Sequence, residues 1–285
     1  MKKRTTSHLL NGSQISSSDA IPKIPIALTI AGSDPTSGAG IQADLKTFAA
    51  HSVYGLSVIT ALTAQDTRGV KKVFPVAFDI VSEQCATLIA DIPLKYIKTG
   101  MIYDEDVCSF VADLIFQHEL IAVIDTPFAA SDGTLLLGEK TFDTFVSKLL
   151  PQAKLVTPNI HEAELLSGTS IGAKKDVEKA ASLILEHGAN AILIKGGHFG
   201  GEFSSDFFMT NYDSYWLDAL RIESVNPHGT GCTLSAAITA NLALGYTLLE
   251  SVKNSKEYIT EEIRNSIQVG QGRNVLSHSS LIMQD

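Results

Sequence analysis

The chain has 285 residues, 45% hydrophobic and 19% charged, with a net charge of −9. That composition excludes a disordered or fibrous protein, and the acidic balance argues against a nucleic-acid-binding surface. Cys85, Cys108 and Cys232 lack metal-type spacing and form no disulfide framework, which fits a reducing compartment.

Residues 1–24 are polar and Ser/Thr-rich, without the apolar run of a secretory signal. They read as a disordered extension, with an organelle transit peptide as the alternative to a cytoplasmic protein. From Pro25 onward, short apolar runs alternate with amphipathic stretches. Ile26–Ala31 is expected as a strand, Ile41–His51 as a helix and Tyr54–Thr63 as a strand. Val70–Val76 is expected as a short edge strand and Asp79–Ala90 as a helix. Tyr96–Thr99, Asp104–His118, Leu120–Ile124 and Lys140–Leu150 continue the alternation, followed by Lys154–Thr157 and Asn159–Leu166. Asp176–His187 reads as a helix and Ala191–Ile194 as a strand. Phe207–Thr210 and Tyr215–Leu220 read as a hairpin around Asn211–Ser214. Gly231–Leu244 and Thr247–Gln268 are the last expected helices. Cys85 and Cys108 fall in expected helices and read as buried thiols.

This order predicts one α/β domain over residues 25–285, with helices on both faces of a mainly parallel sheet. Val225 to Leu249 carries no charged side chain, yet its Asn, Thr, Ser, His and Gly residues make it a poor membrane span and a good buried helix. Ligands in such folds bind beyond the carboxyl ends of the strands. Gly32, Gln65, Gly100, Asp125, Asn159 and Gly196 all fall at or just after expected strand ends, so they should share one rim.

Four motifs bear on chemistry. Gly38-Ala39-Gly40-Ile41-Gln42-Ala43 matches a dinucleotide-binding pattern, but GSDPTS separates it from the preceding strand. No acidic residue stands at the ribose-binding distance either, so the loop is expected to cover some other ligand. In NPHGTGCTLSAAI, Gly229, Thr230 and Gly231 open a helix, where backbone N–H groups suit an oxyanion. Cys232 on its first turn would have its thiolate stabilised there, or is simply a buried cysteine after a helix-starting glycine turn. TPNIHEAE places Asn159 and Glu162 on one face of a helix start, where oxygen ligands could hold Mg²⁺ or Asn159 could simply cap the helix. LIKGGH places Lys195 at a strand end before two glycines, where it could meet a phosphate or merely precede a turn. No P-loop pattern occurs.

Taken together, ALTIAGSDPTSGAGIQADLKTF, GLSVITALTAQDTRGV, IKTGM, LVTPNIHEAELL, IKGGH and NPHGTGCTLSAAI resemble the ribokinase-like superfamily. More closely, they resemble the hydroxymethylpyrimidine/phosphomethylpyrimidine kinases of thiamine biosynthesis. The segments follow the family's order over roughly Ile26 to Gly245. Sugar kinases of the superfamily carry Asp where Cys232 stands.

The resemblance implies a three-layer α/β/α fold and phosphoryl transfer from ATP with Mg²⁺. The acceptors would be 4-amino-5-hydroxymethyl-2-methylpyrimidine and then its monophosphate. Gly32, Ala39, Asp44, Gln65 and Met101 would surround the pyrimidine. Lys195, Asn159 and Glu162 would serve ATP, with Glu162 and Asp125 near the metal. Gly229, Thr230, Gly231 and Cys232 would form the anion hole, and Cys232 would take the acceptor hydroxyl's proton. A homodimer without nucleic-acid or membrane partners is implied as well. Asp125-Thr126-Pro127, Ser37 and Pro227 depart from the family pattern, and GQGRNVLSHSSLIMQD receives no role. A pyridoxal kinase of the same Cys-bearing subgroup and a non-catalytic pyrimidine sensor are the alternatives.

Overall fold

The computed structural model describes residues 24–129, 133–138, 140–196, 201–222 and 227–278. Nearly all of the expected N-terminal extension, Gly197, Val225 and Asn226, and the last seven residues of the tail lie outside them. The backbone orders nine strands as β3-β2-β1-β4-β5-β6-β7-β8-β9. These are β1 (Ile26–Ser33), β2 (Tyr54–Asp66), β3 (Gly69–Pro75), β4 (Tyr96–Thr99), β5 (Ile121–Asp125), β6 (Ala153–Thr157), β7 (Ala191–Ile194), β8 (Phe203–Thr210) and β9 (Ser214–Leu220). From β2 to β7 every neighbour is parallel. The hairpin partners β3, β8 and β9 run antiparallel at the two edges.

Side chains alternate between the faces of a strand. On β5, β6 and β7, Ile124, Val156, Ile192 and Ile194 join one core with α2 (Phe78–Asp91), α3 (Glu105–Gln117), α5 (Ile160–Ser167) and α6 (Lys174–Leu185). Val123, Leu155 and Leu193 join the other, with α7 (Thr230–Ala243) and α8 (Leu248–Arg264). α1 (Gly40–Ala50) packs on that second face through Phe48 against Ala236 and Ala240. Both faces are thus covered, as a parallel sheet requires. The uncharged run forms α7, buried continuously from Thr233 to Leu242. Among the described residues no helix is long and apolar enough to cross a membrane.

Local chemistry sets the helix starts. Asp104 caps α3 by accepting from the N–H groups of Asp106 and Val107 at 3.0 and 3.1 Å. Thr247 and Glu250 form a reciprocal capping box on α8.

Four elements differ from expectation. The helix expected over Lys140–Leu150 contains only a short α4 (Thr141–Thr144), then a π turn (Phe145–Leu149) and a 3-10 turn (Leu150–Gln152). Pro151 has no N–H to donate, so regular helix cannot pass through it. The last helix ends at Arg264 rather than Gln268, because Ile267 donates its N–H to Val275 O at 2.9 Å and the chain doubles back. β2 continues past Thr63 because Asp66 pairs with Gly69 across the hairpin. β8 starts at Phe203 rather than Phe207, since pairing with β9 recruits the polar Ser204, Ser205 and Asp206.

Candidate active site

A cavity of about 740 Å³ opens over the carboxyl ends of β1, β2 and β4 to β7. Gly32, Gln65, Gly100, Asp125 and Asn159 line it, as the rim argument expects. Gly196 does not. Its N–H is donated to Asp206 Oδ1 at 3.0 Å, on the β8 side.

On the β5–β7 side, Lys195 follows the last residue of β7, with its N–H on Pro158 O at 2.8 Å. Its Nζ lies 3.2 Å from Asp125 Oδ1, which also accepts from Thr157 Oγ1 at 3.2 Å. Burial works against the Lys195 ammonium, but Asp125 and Glu162 outweigh it and raise its pKa. Burial likewise opposes the Asp125 carboxylate, yet Lys195 and Lys98 hold it below its ordinary value.

Glu162 and Asn159 form a complete capping box at the start of α5. Glu162 N–H donates to Asn159 Oδ1 at 2.9 Å, and Glu162 Oε2 accepts from Asn159 N–H at 2.7 Å. The same Oε2 accepts from Thr126 Oγ1 at 2.8 Å. Thr126, a departure from the family pattern, therefore braces Glu162. Burial pushes the Glu162 carboxyl up to about 7, against the pull of Lys195. Among the described residues no group of three acidic, His or Cys side chains makes a ready metal cage. A carboxyl short of positive charge beside Asp125 does suit Mg²⁺, which takes one or two carboxylates and fills its shell with waters and substrate phosphates.

Between the two sides lies the glycine turn. Gly229 holds φ +84°, and a Cβ there would stand 1.7 Å from Gly38 O. Only glycine fits both conditions. The N–H groups of Thr230, Gly231 and Cys232 precede the first intrahelical bond of α7, Thr233 N–H to Gly229 O. They are placed for an anion at the cavity wall.

Cys232 also lines the cavity, but its surroundings disfavour a thiolate. Burial pushes its thiol up to about 12. Lys98 and a hydrogen bond from Gly40 N–H act to lower it, while the Asp125 and Asp44 carboxylates add to the rise. The helix N-terminus does not overcome burial with two acidic neighbours.

On the β1–β2 side, Gly32, Ala39, Gln65 and Met101 line the wall. Asp44 does not, which corrects the expected ring contact. It is wholly buried behind the wall, accepting from Lys98 Nζ at 2.8 and 3.0 Å and from Thr29 Oγ1 at 2.6 Å. Lys98 shows its position, not Asp44, to the cavity. The loop glycines are also differently used. Gly40 has φ +60°, and a Cβ there would meet Gly32 O at 2.4 Å. Gly40 lets its backbone approach that of Gly32, and Gly38 leaves room for the His228 and Val275 side chains, where a Cβ would stand 2.8 Å from each.

Sequence reasoning missed three groups. Asp34 organises the loop by accepting from Ala39 N–H and Thr36 N–H, both at 2.8 Å. Burial opposes its ionisation, but hydrogen bonds from His228 and Thr36 hold its pKa below the ordinary value. His228 Nε2 lies 2.9 Å from Asp34 Oδ2 and 3.0 Å from Gln65 Nε2. One ring nitrogen either donates to the carboxylate or accepts from the amide, so the two compete and Gln65 keeps freedom to turn toward a ring. Arg273, on the tail given no role, lines the same cavity. Its neighbours in sequence carried no signal for this. His228 stood beside a recognised turn and was readable as polar wall.

Buried Cys85 and Cys108 match expectation, with burial pushing their thiols up to about 11 and about 12.

Glycine-turn helix, strand-end lysine and parallel sheet, in this topology, are those of the ribokinase-like kinases, and solved structures agree. The fold matches Bacillus subtilis pyridoxal kinase in an ADP complex with a TM-score of 0.83 and 35% identity, covering 91% of this chain and 99% of that one. It matches Clostridium difficile phosphomethylpyrimidine kinase with a TM-score of 0.74 and 39% identity, covering 84% and 99%. In sequence, the hydroxymethylpyrimidine/phosphomethylpyrimidine kinase of Rhizobium meliloti is 44% identical over 89% of this chain and 96% of its own length. That of Synechococcus elongatus is 40% identical over 90% and 97%. The model of the phosphomethylpyrimidine kinase family matches residues 34–277, and the chain belongs to that family.

Proposed function

We propose that the protein transfers the γ-phosphoryl group of ATP, with Mg²⁺, to 4-amino-5-hydroxymethyl-2-methylpyrimidine and then to the monophosphate. The observation that carries this reading is the meeting of Gln65 and Met101 with Lys195 and Gly229–Cys232 around one cavity. An aminopyrimidine edge needs both a donor and an acceptor, which a carboxamide supplies. Phosphoryl transfer depends on positioning and charge stabilisation. Lys195 and the α7 N–H groups would hold the transferred phosphoryl oxygens. Glu162 and Asp125 would hold Mg²⁺, which neutralises phosphate charge when bound. Asn159 would keep Glu162 aimed.

Cys232 would stand beside the attacking oxygen. The first transfer must shed a hydroxyl proton, whereas the second starts from a phosphate that is already an anion. Residues 25–285 would act as one domain and as a homodimer in the cytoplasm, which light scattering and fractionation would test.

Mass analysis of the products from the pyrimidine alcohol with Mg-ATP tests the reading. A diphosphate is expected, and no phosphorylated product would overturn it. Pyridoxal is the competing acceptor, because solved neighbours include a Staphylococcus aureus pyridoxal kinase with AMP-PCP and pyridoxal at a TM-score of 0.81. A kcat/KM higher on pyridoxal than on the pyrimidine alcohol would replace the first reading by the second.

A further inference from the structure

The segment carrying Arg273 is strung between the two motifs that form the β1–β2 side. Gly272 N–H donates to Thr67 Oγ1 at 2.9 Å and Arg273 N–H to Thr67 O at 2.8 Å. One residue on, Asn274 O accepts from His228 N–H at 2.8 Å, and Val275 bridges to His228. Arg273 is thereby held between the β2–β3 turn and the glycine turn, on the cavity wall shared with Gln65, Val70 and His228.

Other basic groups around that cavity already face acidic partners. Lys98 is paired with Asp44, Lys195 with Asp125, His228 with Asp34 and His161 with Glu164. The Arg273 guanidinium has no hydrogen bond or ion pair among the described residues. Its half-buried side chain is an uncommitted cation at a cavity whose other basic groups are matched.

We propose that Arg273 is a specificity-determining residue that recognises the phosphate of the monophosphate acceptor, an inference that rests on the function proposed above. The two acceptors share a ring and differ by a dianionic group. That group must exchange hydration for protein donors when it enters the cavity. Its phosphorus lies one ester bond beyond the ring's hydroxymethyl carbon, so the ring must sit farther from the anion hole in the second transfer. A guanidinium on the ring side can follow that displacement and offer paired N–H donors to phosphate. The neutral alcohol makes no such demand.

Initial rates with each acceptor test this in the wild type, Arg273→Gln and Arg273→Lys. Arg273→Gln should raise KM for the monophosphate roughly 10- to 100-fold, with KM for the alcohol and for Mg-ATP nearly unchanged. Arg273→Lys should recover part of the loss, because charge remains while the paired donors go. Calorimetric titration of the monophosphate without nucleotide should show the same weakening. Equal changes with both acceptors, a change in Mg-ATP KM alone, or no change would each overturn the role. Loss of both steps in both variants would do so too, by showing a structural need. A wild type that phosphorylates neither acceptor would defeat the functional reading itself, a result distinct from all of these.

Discussion

The β5–β7 side of the cavity and its β1–β2 side handle charge differently. On the first, Lys195, Asp125 and Glu162 crowd together; Lys195 and Asp125 hold each other charged against burial, while burial still pushes the Glu162 carboxyl up to about 7. On the second, Gln65, Met101, Gly32 and Ala39 share the wall with the paired Asp34 and His228 and with Arg273, while Asp44 is sealed behind it against Lys98. A side built for polyanionic phosphates must hold its cations in place before they arrive, because reorganising buried charge during the reaction is costly. A side built for a flat neutral ring needs shape and a few oriented amide groups. The contrast assigns the nucleotide to β5–β7 and the acceptor to β1–β2 under the proposed function, and substitutions can break it.

The largest effect is expected at the seam. Gly229→Ala places a methyl 1.7 Å from Gly38 O at a residue with φ +84°, so the turn and the loop must separate. A loss of about 4 kcal/mol or more is expected, with both transfers abolished. Thermal unfolding and a kinase assay would check it; a stable, active variant would show that the two sides need not be locked together. Next comes Lys195→Ala, which should lower kcat/KM by roughly 10²- to 10³-fold for both acceptors alike. A loss confined to one acceptor would move Lys195 out of the shared donor side.

Cys232→Ala should split the two transfers. About 10²-fold loss is expected in the first and little in the second, because only the first sheds a hydroxyl proton. A thiol pushed up to about 12 is mostly protonated at neutral pH, so the wild-type first step should also quicken as pH rises through the neutral range. Equal loss in both steps would assign Cys232 to positioning. Gln65→Ala should raise acceptor KM about 10-fold and leave Mg-ATP KM unchanged. The reverse pattern would exchange the roles of the two sides.

The same contrast explains what was legible in the sequence. The mainly parallel sheet follows from strands alternating with helices, and the β5–β7 side is carried by local units. Asn159 and Glu162 stand three apart in one capping box, and Lys195 directly follows a four-residue strand. The β1–β2 side is assembled by contacts between distant segments. Asp34 meets His228, Gln65 meets the same ring, and Thr67 meets Arg273. No spacing rule announces such pairs. Asp44 shows the cost: the family resemblance implied a ring contact, but Lys98, brought by β4, claims it. A Cys232 thiolate is disfavoured for a related reason: the helix end was visible, while the burial that raises the thiol, with Asp125 and Asp44 adding to it, was not.

The smallest effect concerns the tail that supports the β1–β2 side. His278 is 8% exposed, with its N–H donated to Glu262 Oε2 at 2.7 Å and its Nδ1 3.4 Å from both Thr47 Oγ1 and Tyr258 Oη. Its Nε2 is buried without a partner among the described residues. Burial, helped by Lys46, lowers its pKa from 6.5 to about 4, so the folded ring stays neutral where the unfolded one gains a proton. Stability from this group is therefore present above pH 6.5 and lost as pH falls toward 4. Between pH 7 and pH 6 the loss is about 0.7 kcal/mol. Urea unfolding at both pH values should show it, and His278→Gln should reduce it. His51, also lowered by burial, adds a loss of the same sign that remains in the variant. Because Arg273 and Val275 lie on the same tail, acid should raise acceptor KM in the wild type more than in His278→Gln. Identical pH responses in the two proteins would separate the tail's anchoring from the acceptor side.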